Sequence, residues 1–112
     1  MAKIVKKSFN SPDEVQNPGD KLKVEVITVD GLKFQKVTAE PGWQWSKHLK
    51  GVVGTKSCEK HHLLYVVSGK LTARMNDGTE VEFNPGEVGV VPPGHDGWNA
   101  ESKPVVWLEI PH

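Results

Sequence analysis

Eleven glycines and eight prolines are spread along a chain of only 112 residues, singly or in small clusters that recur about every ten positions. Neither residue is tolerated well inside a helix. The runs between them are short and rich in Val, Ile, Leu and Phe. Such punctuation leaves no room for long helices and favours many short strands joined by tight turns. "LKVEVITVD" alternates Leu22, Val24 and Val26 with Lys23 and Glu25, Asp30-Gly31 interrupts it, and "LKFQKVT" resumes the alternation. That pattern is a hairpin. A second hairpin lies in "KLTARMNDGTEVEF", turning at Asn76-Asp77-Gly78. "LLYVVSG" is apolar on both faces and fits a strand buried on two sides. With "GEVGVVP" and "VVWLEI" the count reaches about eight strands, the spacing of an all-β sandwich or barrel. A single helical turn is expected at "SPDEVQ", with Ser11 as cap and Pro12 at the first position.

A chain of this length supports one domain with a hydrophobic core. We expect an N-terminal arm over residues 1–20, packed on the barrel or on a second subunit, and a single domain over residues 21–112. Lys plus Arg and Asp plus Glu balance at 14 each. The neutral surface gives no electrostatic reason to expect nucleic acid as a partner. No segment has the roughly 20 apolar residues of a membrane helix, and the basic N-terminus has no apolar core of signal-peptide length. The single cysteine, Cys58, excludes an intramolecular disulfide and leaves the cytoplasm as the default compartment.

Chemistry is concentrated in the histidines. His112 is the last residue and is expected to be solvated, which leaves His48, His61, His62 and His95. Three converging imidazoles would make an open metal site. His95 follows a Pro-Pro-Gly turn at the end of one strand, and His62 begins the buried strand. Strand ends gather at the mouth of a barrel, where ligand sites form. His61 and His62 are adjacent, so only one of them faces inward, and spacing alone does not choose. Cys58 precedes His62 by four residues, about 13 Å along a straight strand. The two can share a metal only if "SCEKHH" turns between strands; otherwise Cys58 is a small buried hydrophobe. Trp43 and Trp45 are two apart, on one face of an extended segment. They serve as core packing or as the aromatic wall of an apolar pocket, and Trp98 is a further candidate for that wall.

"GEVGVVPPGHDGWN" and "HLLYVVSG", with the hairpin between them, resemble the two motifs of the cupins, which are small jelly-roll barrels. Gly86, Pro92 and Gly94 match the second motif in register, and Gly69 matches the end of the first, with His62 where that motif has glutamate. The resemblance covers roughly residues 37 to 110. It implies a double-stranded β-helix of antiparallel strands, a small-molecule ligand or substrate, and a homodimer. The usual metal-binding histidines would fall at Lys56, Cys58 and Gly97, none of which is histidine. The Trp-Ser-x-His, Cys-x-x-x-His and Pro-Pro-Gly-His-Asp segments resemble instead a subgroup of small single-domain cupins. That match makes His62 the inward residue of its pair. It also makes His48, Cys58, His62 and His95 the candidate ligands of a divalent transition metal such as zinc, iron or nickel. Asp96, beside His95, would orient a ligand or act as general base. Two functions follow: a mononuclear metal site, such as that of an oxygenase, isomerase or lyase, or a metal-free pocket for a small apolar or aromatic ligand. A barrel whose pocket is vestigial is the third reading.

Overall fold

The structure, a computed structural model, describes residues 2–112, apart from the side chains of Val52 and Val53. Nine strands alternate with turns: β1 Glu14–Gln16, β2 Leu22–Val29, β3 Leu32–Ala39, β4 His62–Ser68, β5 Leu71–Met75, β6 Glu80–Phe83, β7 Val88–Val91, β8 His95–Trp98 and β9 Val105–Glu109. Helix is confined to two single turns, α1 Trp45–His48 and α2 Lys50–Val53. The strands form a six-stranded sheet in the order β1-β2-β3-β9-β4-β7 and a three-stranded sheet in the order β6-β5-β8. Every strand pairing is antiparallel.

Both expected hairpins are present. β2 and β3 pair over their full lengths, and the turn between them puts Asp30 at φ 50° and Gly31 at φ 77°. A type I′ turn needs that left-handed pair, and Asp-Gly accepts it at little cost. The alternation also assigns the inner faces. Leu22, Val24 and Val26 of β2, Leu64 and Val66 of β4, and Val105 and Trp107 of β9 join Leu71, Ala73 and Phe83 of the smaller sheet in one core.

The helical turn expected at "SPDEVQ" does not form. Glu14–Gln16 extends the large sheet as β1, paired with β2 of the same chain. The Asp13 carboxylate accepts the Thr28 N–H at 2.8 Å, and the Asp13 N–H donates to the Val26 carbonyl at 2.8 Å. A ladder of cross-strand bonds outweighs one capped turn, whose nucleation cost is not recovered over so few residues.

Gly69, the glycine that closes "HLLYVVSG", has a strict backbone requirement. Its φ is +76°, and a Cβ there would lie 2.5 Å from the Pro104 carbonyl oxygen and 2.6 Å from the Val105 Cα. Both obstacles are backbone. Gly69→Ala combines a left-handed strain with a clash that no rotamer relieves. We expect a loss of about 2 to 5 kcal/mol, read as a lower denaturant midpoint with unchanged slope.

Candidate metal centre

Two short segments run side by side across the barrel mouth. His62 pairs with Val91 at the start of β4. Four residues earlier, Cys58 forms an isolated bridge with His95. The Pro-Pro-Gly turn on one strand therefore faces the non-strand residues 59–61 on the other. The Cys58 N–H donates to the His95 carbonyl at 2.7 Å, and the Gly94 N–H donates back to the Cys58 carbonyl at 2.8 Å. "SCEKHH" thus makes the turn that sharing a site requires. Cys58 Sγ lies 3.8 Å from His62 Nε2. The two imidazoles pack edge to face with centroids 5.0 Å apart.

The Nδ1 nitrogen of each ring has an assigned partner. His95 Nδ1 lies 2.7 Å from the Pro92 carbonyl, to which it donates, which leaves Nε2 for a second contact. His62 Nδ1 donates to the Glu109 carboxylate, with both oxygens at 2.9 Å. Glu109 also accepts from the Trp107 indole at 2.6 Å. A carboxylate behind a histidine fixes the ring and raises its basicity toward a metal. Glu109 is buried on the inner face of β9, in line with Val105 and Trp107. Sequence reasoning did not single it out, although its parity puts a carboxylate on a buried face, which demands a partner.

One ligand atom from each of Cys58, His62 and His95 lies within 4.8 Å of the other two. This donor set fits a metal. In a tetrahedral shell, a sulfur at about 2.3 Å and a nitrogen at about 2.1 Å from the ion sit about 3.6 Å apart. The observed Cys58–His62 separation is close to that.

His48 is not part of the group. It closes α1, and its Nδ1 accepts the Gln44 N–H at 3.1 Å, one turn back. The helical turn carries the ring onto its own backbone, so the expected three-histidine convergence is corrected to one cysteine and two histidines. Asp96 is also displaced from its expected role. It neighbours His95 on β8, so its side chain leaves from the opposite face. Its carboxylate accepts from the Gln44 side chain at 2.8 Å and the Ser46 N–H at 3.0 Å. There it caps the start of α1 and fixes the segment that carries Trp43 and Trp45. His61 is exposed and pairs with His112 at 2.8 Å.

Behind the cluster of Cys58, His62 and His95 lies a cavity of about 400 Å³. Trp43, Trp45 and Trp107 form its aromatic wall, with Leu64, Leu71, Ala73 and Val91. Trp98 is not in this wall. It is three residues from His95 on one strand, and β8 buries His95 and Gly97 while leaving Trp98 on the other face. Trp43 Nε1 is buried with no acceptor, the one such side-chain atom among the described residues.

Burial pushes the Cys58 thiol up, but hydrogen bonds from His62 and His95 and from the Lys60 backbone hold it down at about 6, against an ordinary 9.0. Burial opposes charge on His62 as well. Cys58 and Glu109 on either side of the ring outweigh it and raise His62 to about 9. Burial raises Glu109 too, and His62 holds it below its usual range. Without metal, the group is therefore a thiolate–imidazolium–carboxylate chain. The depressed Cys58 contributes stability that is complete above pH 9.0 and is lost as pH falls through about 6. The raised His62 contributes stability that is complete below its ordinary 6.5 and is lost as pH rises through about 9. Between about pH 6.5 and 9 the two contributions change in opposite directions and nearly cancel, so metal-free protein should show almost pH-independent stability there. Denaturation across that range checks it; in Cys58→Ser the compensating thiol is gone, and stability should fall as pH rises above 6.5.

A barrel of two antiparallel sheets with a side-chain cluster at its mouth defines a class of small β-barrel proteins. A family model for the cupin domain matches residues 53–111, and the chain belongs to that family. No curated protein matches the sequence. Among solved structures, the polyketide cyclase RemF from Streptomyces resistomycificus is similar with a TM-score of 0.68 at 16% identity, over 97% of this chain and 79% of that one. A Lactobacillus farciminis oxalate decarboxylase formate complex gives 0.59 at 19% identity, over 87% of this chain but 30% of the other. Bacillus subtilis oxalate decarboxylase gives 0.54 at 27% identity, over 86% and 27%. The chain therefore spans less than a third of the length of these decarboxylases. The first two likenesses establish the fold alone.

Proposed function

We propose that this cupin holds one transition-metal ion on Cys58, His62 and His95 and uses it to bind or transform a small molecule in the adjoining cavity. The observation that carries the reading is the donor set: one sulfur and two imidazole nitrogens within 4.8 Å, with one imidazole backed by a buried carboxylate. A thiolate with two imidazoles suits zinc, iron or nickel and disfavours magnesium or calcium. An ion so held has a coordination position left for a ligand and would act there as a Lewis acid. A thiol ligand suits a reducing compartment, and we assign the chain to the cytoplasm on that ground. Among the described residues, no helix is long and apolar enough to cross a membrane. The experiment is metal analysis of protein purified without a histidine tag. About one equivalent per chain is expected, and none after dialysis against zinc, iron and nickel salts would overturn the reading.

A metal-free binding module is the second reading. The thiolate–imidazolium pair neutralises itself without an ion, and the cavity walls are apolar. Under this reading, ligand binding is unaffected by chelators.

We further propose a homodimer through the outer face of the large sheet. Tyr65 and Val67 on β4 and Val88 and Val90 on the edge strand β7 are exposed there, with Tyr65 opposite Val88. A second copy would cover this apolar strip. Sedimentation should give twice the chain mass, and Val88→Lys with Val90→Lys should give the monomer. A concentration-independent monomer in the unaltered protein contradicts it.

A further inference from the structure

We infer that the ligand is a flat, largely apolar molecule with a single anionic head group, seated with its head against Cys58, His62 and His95 and its body between the tryptophans. The inference rests on the metal reading above and deepens it. The cavity, about 400 Å³, is of the size that encloses a small organic ligand. Its wall contains three of the four tryptophans of the chain. Trp43 and Trp107 are tilted at 49° with centroids 6.1 Å apart, an arrangement that offers an aromatic body both a face and an edge.

The polar groups argue against other ligand classes. The titratable ones that are not exposed, Cys58, His62, His95 and Glu109, form one cluster, and the neutral side chains of Gln35 and Thr55 also line the cavity. Glu109 is the only buried carboxylate in the wall, and it is occupied by His62 and Trp107. No free acid remains in the interior to receive an amine. The only lysine in the lining, Lys60, is exposed, and no arginine is present. A small dianion would therefore meet one metal ion and no second cation, and would leave the aromatic wall unfilled. One anionic oxygen on the open coordination position satisfies the polar end. An apolar body satisfies the rest.

The test is titration calorimetry of zinc-loaded protein with three probes: 2-naphthoate, 2-naphthylmethanol and oxalate. We expect 2-naphthoate to bind at least about tenfold more tightly than 2-naphthylmethanol, and oxalate to bind more weakly than either. Ala73→Phe fills the cavity on β5. It should abolish 2-naphthoate binding while zinc content, measured in parallel, stays at one equivalent. If that variant does not fold, Leu49→Trp at the partly buried side of the cavity serves the same purpose. Protein that retains zinc but binds neither aromatic probe, or binds oxalate most tightly, overturns the inference and leaves the metal reading standing. Protein that retains no zinc sinks the metal reading instead. In that case equal binding of both aromatic probes overturns the head-group assignment, and absence of binding overturns the whole inference.

Discussion

His62→Ala should reduce metal affinity by more than about a hundredfold, while His61→Ala leaves it unchanged. The two residues are neighbours in sequence and of one chemical type, so they form a matched pair. Strand parity separates them. His62 shares the inner face with Leu64 and Val66, and His61 sits outside against His112. Loss of a group that only supports a ligand costs about 10- to 100-fold in affinity, and loss of the ligand itself must cost more. His62→Ala also leaves Glu109 buried with only the Trp107 indole to satisfy it. The variant should therefore be less stable even without metal, because a buried carboxylate has lost its partner. His95→Ala is the companion variant. It should lose the metal similarly without disturbing Glu109. Competition against a chromogenic chelator measures the affinities, and denaturation of the metal-free forms measures the stabilities.

Glu109→Gln should lower metal affinity by about 10- to 100-fold while leaving all three donor atoms in place. The carboxylate is a positioning residue: it receives the His62 Nδ1 proton, fixes the ring, and lets Nε2 face Cys58. The amide is the same size, so packing beside Trp107 survives, but of the two groups that raise His62, Cys58 and Glu109, the carboxylate charge is gone. The His62 pKa in the metal-free variant should therefore fall from about 9 toward its ordinary value. NMR titration of the imidazole reads that shift, which a packing defect would not produce. A variant with unchanged affinity and an unchanged titration would show that the Glu109 contact is incidental.

Much of the barrel was legible because its signals are local. Alternation in β2 and β3 and the Asp-Gly turn between them need no tertiary information, and both appear as read. The lone cysteine was legible conditionally. Its spacing to His62 required a turn, and the backbone bonds between Cys58 and His95 supply one. Trp98 and Asp96 were misplaced although parity was available. Asp96 is one residue and Trp98 three from His95, so both leave β8 on the face away from the cavity. Glu109 was overlooked for the converse reason, since parity puts it on a buried face with Val105 and Trp107. His48 was not legible. Its position depends on α1, a single turn held by the Asp96 carboxylate from a strand fifty residues later. No local pattern announces a helix capped from such a distance.

The central claim is a metal bound by one sulfur and two imidazoles. X-ray absorption at the edge of the bound metal tests it most directly. One sulfur scatterer at about 2.3 Å and two imidazole nitrogens at about 2.0 to 2.1 Å are expected, with the sulfur lost in Cys58→Ser. A first shell of nitrogen and oxygen only, identical in the native protein and in Cys58→Ser, would contradict it.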